Sequence, residues 1–151
     1  MEEIGYIYKI SFLNKNDIYI GKTTNYDINN RLKQHFSNKL SPVYNYVKQK
    51  CYDIKNVKIE ILDKINMKHD LRYLLNNSYN KKNKVFCEYR ICDSNIINSL
   101  TKIKLGYLEQ YYIYKFYNDK NYNLINKLIH KKEKINEIYL FLINTPNDII
   151  L

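Results

Sequence analysis

The sequence predicts an α/β fold: a small, largely antiparallel three-stranded sheet flanked by helices, with an inserted segment. Three observations carry that prediction. Two strand-like runs rich in β-branched and aromatic residues, Tyr6 to Phe12 and Ile18 to Lys22, bracket the turn-forming Asn14-Lys15-Asn16-Asp17. Apolar residues then switch to helical spacing at Ile28, Leu32 and Phe36. Later, an apolar run at Val57 to Leu62 reads as a third strand, and a helical stretch runs from about Lys104 to Tyr117. At 151 residues and 18.4 kDa, the chain is large enough to bury a core as one domain.

Each element has a local cause. Tyr6 to Phe12 and Ile18 to Lys22 form a hairpin, and Gly21 near its end lacks the Cβ that would keep a ligand or a neighbouring group away. Asn25 or Asp27 can cap the first helix, which runs to about Asn38. Ser41-Pro42 starts a second, through about Lys50, with proline at the first helical position, where its missing N–H costs nothing. A long segment from Asn66 to Thr101 separates the third strand from the next helix. It is expected to hold a helix near Lys68 to Asn76, a polar loop from Asn76 to Lys84, a strand-like run from Val85 to Ile91 and a helix from about Asp93 to Leu100. The next helix turns Leu105, Leu108, Tyr112, Ile113 and Phe116 inward. Residues 1–126 thus form the expected domain, and 127–151 a C-terminal extension with a helix over Lys127 to Asn144, ended by Thr145-Pro146.

Charge narrows the partner class. A net charge of +10 and a pI near 9.3 suit a polyanion. The same chain is crowded with Asn, Ile, Lys and Tyr, whose codons are rich in A and T. Genome composition therefore accounts for part of its basicity. Three cysteines, with an acidic Met1-Glu2-Glu3 start in place of a basic signal region, point to reduced thiols in a soluble intracellular protein, cytoplasmic or nuclear. The apolar run Ile138 to Ile143 is far too short to span a bilayer, so no membrane role is expected. Cys87 and Cys92, with Cys51 and His69 elsewhere, lack a zinc-site spacing.

One ordered set of residues is far more specific. Gly5-Tyr6-Ile7-Tyr8 and Ile18-Tyr19-Ile20-Gly21 lie eleven residues apart, tyrosine to tyrosine, and two of the chain's three glycines stand in this frame. Arg31 follows twelve residues after Tyr19, and His35 one helical turn after Arg31. Glu109, in Leu108-Glu109-Gln110-Tyr111-Tyr112-Ile113, and Asn123 extend the set over most of the chain. Together they resemble the signature of the GIY-YIG endonuclease family, with one residue more between the first glycine and its tyrosine. The resemblance implies a GIY-YIG nuclease-like fold, in which Asn66 to Thr101 is an insertion because the family's compact form is shorter there, and an endonuclease that hydrolyses phosphodiester bonds in DNA with one divalent ion, magnesium or manganese.

The residue types suit that chemistry. Phosphodiester hydrolysis needs an activated water, charge stabilisation on the phosphate and help for the departing oxygen. The resemblance makes Tyr8 the general base and Tyr19 its support. A phenol with an ordinary pKa near 10 needs a cation nearby for this, and Lys22 or the metal could supply it. Arg31 would clamp the scissile phosphate through its planar fork, on the polar side of the first helix. His35 could orient the phenolic proton of Tyr8 or donate toward the leaving group. Glu109 is the expected metal ligand, since magnesium accepts one carboxylate with waters and phosphate. The competing reading pairs Glu109 with Lys104 or Lys115, and Glu60 and Glu88 are lesser alternatives for the metal. Asn123 is expected to hold active-site backbone, although Asn126 offers the same side chain three residues on. Lys22, Arg31, Lys81, Lys82 and Lys84 are the expected nucleic-acid contacts.

The alternative function is a catalytically silent nucleic-acid-binding module that keeps the fold, and RNA is a second substrate class beside DNA. No appended DNA-reading region is evident, so relaxed sequence preference is expected, sharpened only by a second copy of the chain or a targeting protein.

Overall fold

The computed structural model of the chain describes residues 4–24, 26–66 and 94–126. In chain order the elements are β1 (Ile4–Ser11), β2 (Asp17–Thr23), α1 (Ile28–Ser37), α2 (Pro42–Lys50), a 3-10 turn (Ile54–Asn56), β3 (Lys58–Asn66), α3 (Ser94–Tyr117) and β4 (Asn123–Leu124). The sheet order is β3-β1-β2-β4. The first three strands pair antiparallel, and β4 lies parallel to β2.

The hairpin closes as its turn residues dictate. The Asp17 N–H donates to the Asn14 carbonyl at 3.1 Å, and the Asn14 side chain donates to the Asp17 carboxylate at 3.3 Å. Asp17 also accepts from the Tyr46 hydroxyl, which ties α2 to the start of β2. Strand alternation then sends β1 residues to two different cores. Ile7 joins Ile18, Ile20 and Ile65 beneath Leu105, Leu108 and Ile113 of α3. Tyr8, Ile10 and Phe12 face the other way, against Leu32 of α1 and Val43 and Val47 of α2. The sheet is therefore a middle layer, with α3 on one side and α1 and α2 on the other.

The pairing of β1 with β3 jumps from Ile7↔Asp63 to Tyr8↔Ile61, so Leu62 is an extra residue directly beside Tyr8. Such a bulge increases local twist and re-aims the neighbouring side chain. It also resets the alternation, which lets Ile65 reach the α3 core; β3 itself runs four residues past the Leu62 end expected from sequence.

Two further differences from the sequence reading have plain causes. The helices expected at Asp93 to Leu100 and Lys104 to Tyr117 are one continuous helix, because Thr101-Lys102-Ile103 contains nothing that breaks a helix. The sheet has four strands rather than three. β4 contributes only two paired residues, and its bonds are made by partners rather than by its own composition: the Asn123 N–H donates to the Asn16 carbonyl at 2.7 Å, and the Ile125 N–H to the Ile18 carbonyl at 2.9 Å. Asn25, the elements expected between Lys68 and Ile91, and the Lys127 to Asn144 helix lie outside the described residues, as do Lys81, Lys82, Lys84 and Glu88. Among the described residues no helix is long and apolar enough to cross a membrane.

Candidate active site

Tyr8 is fully buried on the α1 side of the sheet, and Gly21 stands opposite it on β2. A Cβ at position 21 would run into the Tyr8 ring and hydroxyl, so only glycine leaves room for the phenol here. Tyr19 faces the same side, its ring centroid 6.5 Å from that of Tyr8 and 5.1 Å from that of His35.

α1 begins at Asp27, whose carboxylate accepts from the N–H groups of Asn29 and Asn30. From that start, Arg31 and His35 fall on one face. The sequence placed this face on the outer, polar side of α1, and the structure turns it inward: His35 is 4 % exposed, buried alongside Leu32. Burial is possible because both ring nitrogens have partners. Nε2 is 2.7 Å from the Tyr8 hydroxyl, and Nδ1 is 2.7 Å from Ser41 Oγ. Arg31 donates from Nε to the Tyr8 hydroxyl at 3.2 Å and from Nη1 to Gln34 Oε1 at 2.9 Å.

Electrostatics follow from this packing. Burial, and then the Arg31 charge, push the His35 pKa down to about 4, so the imidazole is neutral in ordinary conditions. Burial raises the Tyr8 pKa well above the ordinary phenol range, Tyr19 adds to the rise, and Arg31 opposes it through its charge and its hydrogen bond. Tyr19 is raised as well, by burial and then by Glu109, with Arg31 acting against them. The cation that favours a Tyr8 phenolate is therefore Arg31. Lys22, the candidate from sequence, instead points across to α3, with its Nζ 3.9 Å from Glu109 Oε1.

Glu109 sits where α3 meets the end of β2, its side chain 16 % exposed. Burial raises its pKa, opposed by Lys22 and then Arg31, and its charge reaches Tyr8 and Tyr19. Its ion-pair partner is thus Lys22, in place of the Lys104 or Lys115 considered from sequence; Lys115 lies over the Tyr112 ring. Among the described residues no three His, Cys, Asp or Glu side chains gather, so a cation here would have a lone carboxylate as its protein ligand. That donor set fits magnesium, which keeps most of its waters and takes phosphate oxygens as further ligands. Glu60 is engaged elsewhere, 2.8 Å from Lys9 Nζ.

Beside these groups lies a cavity of about 370 Å³ lined by Lys22, Thr23, Thr24, Arg31, Lys102 and Leu105. Three cations and two hydroxyls lining one cavity suit phosphate oxygens. Lys102, Thr23 and Thr24 were not singled out from sequence, because nothing in their local pattern says that α3 and the end of β2 converge.

The backbone of the second motif is held by an asparagine, though not by Asn123. Asn123 donates to the Asp17 carboxylate at 3.3 Å in an exposed position. Asn126 grips Ile20 with both ends of its amide: Oδ1 accepts the Ile20 N–H at 3.0 Å, and Nδ2 donates to the Ile20 carbonyl at 2.8 Å. Ile20 lies between Tyr19 and Gly21, so this amide acts as one more strand partner at the site. The β4 pairing ends at Leu124, and Asn126 falls opposite the free edge of Ile20.

A family model described as the GIY-YIG catalytic domain matches residues 4–84. No curated protein and no solved structure matches the chain. The matched stretch holds Tyr8, Tyr19, Gly21, Lys22, Arg31 and His35. Glu109 and Asn126 lie beyond it and join the site through the fold.

Proposed function

Because the chain belongs to the GIY-YIG family, whose members are nucleases, we propose that it is a divalent-metal-dependent endonuclease that hydrolyses phosphodiester bonds in DNA. Residues 1–126 form the nuclease domain in this reading, with 66–101 inserted and 127–151 appended. The observation that carries the reading is the Tyr8 hydroxyl, held between Arg31 Nε and His35 Nε2 behind a glycine, with Glu109 and a basic cavity alongside.

Tyr8 takes the proton from the attacking water, and its phenolate is favoured by the Arg31 charge and by hydrogen bonds at its oxygen. Arg31 keeps Nη2 for a phosphate oxygen while Nε serves Tyr8, so one guanidinium links base and substrate. Glu109 would hold the divalent ion, which when bound supplies positive charge for the scissile phosphate and the departing oxygen. Lys22 keeps Glu109 ionised against the cost of burial, and Asn126 fixes the strand that carries Tyr19 and Gly21. Lys22, Thr23, Thr24 and Lys102 bind flanking phosphates. A second copy of the chain or a targeting protein would add sequence preference, since phosphate contacts carry none.

The second reading is a nucleic-acid-binding module that does not cut, and the full burial of Tyr8, which disfavours a phenolate, favours it. Nicking of supercoiled plasmid DNA with magnesium, manganese or a chelator separates the two. Nicking that requires the metal supports the enzyme. Tight DNA binding with no nicking under any metal supports the module, and nicking that survives a chelator would sink the metal assignment. The same assay on folded RNA decides the substrate class.

A further inference from the structure

We propose that Ser41 is a positioning residue for this chemistry: its hydroxyl donates to Nδ1 of His35, so that the imidazole directs Nε2–H at the Tyr8 oxygen. The inference rests on the endonuclease reading above and on one chain of hydrogen bonds. The Val43 N–H donates to Ser41 Oγ at 3.2 Å, Ser41 Oγ lies 2.7 Å from His35 Nδ1, His35 Nε2 lies 2.7 Å from the Tyr8 hydroxyl, and Arg31 Nε donates to that hydroxyl at 3.2 Å.

Both outer groups, a backbone N–H and a guanidinium N–H, are donors only. Ser41 and Tyr8 therefore accept at the two ends of the chain. Between them the two hydroxyls and the neutral imidazole carry three hydrogens, and only two links join them. One hydrogen is surplus and must sit at one end. The ends differ chemically. Both ends are buried, Tyr8 at 0 % and Ser41 at 5 % exposed, so acidity separates them: an aliphatic hydroxyl keeps its hydrogen at any working pH. Tyr8 is the acid of the set, and the hydrogen it can lose is the one a general base must lack.

With that hydrogen gone, every donor has an acceptor. Arg31 Nε–H and His35 Nε2–H meet on the phenolate, Ser41 O–H meets Nδ1, and Val43 N–H meets Ser41 Oγ. In the opposite tautomer Nδ1–H points at Ser41, and the bare lone pair of Nε2 faces the Tyr8 oxygen, where it repels a phenolate. The choice is between tautomers of a neutral ring, since burial holds the His35 pKa near 4. The bond from the Val43 N–H fixes the Ser41 oxygen at the start of α2, beside the ring.

The test combines ring-nitrogen NMR of His35 with nicking kinetics, on the full-length protein. Ser41→Gly removes the hydroxyl, while glycine remains an acceptable helix cap; Ser41→Thr keeps acceptor and donor together. Wild-type His35 is expected to gain Nε2–H as pH rises and Tyr8 ionises. In Ser41→Gly the Nδ1–H tautomer should grow, and kcat for magnesium-dependent nicking should fall by about tenfold or more with KM nearly unchanged. Ser41→Thr should restore both. A wild-type ring that keeps Nδ1–H as pH rises overturns the proposal, and so does Ser41→Gly with wild-type tautomer and kcat, which would leave Ser41 as a helix cap alone. A wild-type protein with Nε2–H on His35 that cuts no nucleic acid would sink the nuclease reading, and the catalytic role of Ser41 with it, and leave only the tautomer assignment standing.

Discussion

At Tyr8, burial and chemistry pull in opposite directions. Burial lifts the phenol above its ordinary 10.0, and a base needs the phenolate. Arg31 acts against burial, and below the phenol pKa the phenolate fraction grows about tenfold per pH unit. Nicking by the wild-type protein should therefore rise steadily from neutral into alkaline pH, and Tyr8→Phe should lower turnover by at least about 10²-fold. Near-normal rates in Tyr8→Phe, with the loss in Tyr19→Phe instead, would transfer the role to Tyr19. His35 gives a second residue-level signature. Its folded pKa, about 4, lies below the ordinary 6.5, so the unfolded chain takes up this proton first. The stability contributed by the buried neutral ring is complete above pH 6.5 and is lost as pH falls from there toward 4. Urea midpoints measured across that window should fall for the wild type and fall less steeply for His35→Gln; equal slopes would mean that His35 is not buried in the neutral form.

At the scale of elements, Asn126 replaces a strand. β4 ends after two paired residues, and one amide then satisfies both backbone groups of Ile20. Asn126→Ala leaves that donor and acceptor without partners and should cost about 2 kcal/mol in urea denaturation. Asn123→Ala removes one exposed bond and should cost less than about 0.5 kcal/mol; the reverse order would return the holding role to Asn123. The same contrast explains what could be read from sequence. The hairpin, α1 and α2 were legible because Asn14 to Asp17, Asp27 and Ser41-Pro42 are local signals that act within a few residues. The spacing of Tyr8, Tyr19, Arg31 and His35 was legible for the same reason, since strand register and one helical turn convert it directly into proximity. Features set by distant partners were not legible. The inward turn of His35 depends on Tyr8 and Ser41, the Leu62 bulge on pairing with β1, the Lys22–Glu109 pair on where α3 crosses β2, and β4 on carbonyls of the hairpin. Asn123 and Asn126 cannot be told apart until β4 fixes which of them meets Ile20.

For the whole molecule, the arrangement of the charge matters more than its total of +10. One cavity brings Lys22, Arg31 and Lys102 together, a geometry that a merely solvated lysine surface does not require. If Lys102 contacts a flanking phosphate, Lys102→Ala should weaken DNA binding equally across sequences and reduce the slope of log affinity against log salt by about 0.9. An unchanged slope would assign Lys102 to solvent. Glu109, which like Asn126 lies beyond the family match, is the proposed ligand of the divalent ion. The decisive measurement is plasmid nicking by Glu109→Gln in magnesium, made alongside DNA binding by the same protein. The account predicts that nicking is lost while binding stays close to wild type; full nicking by Glu109→Gln would contradict it.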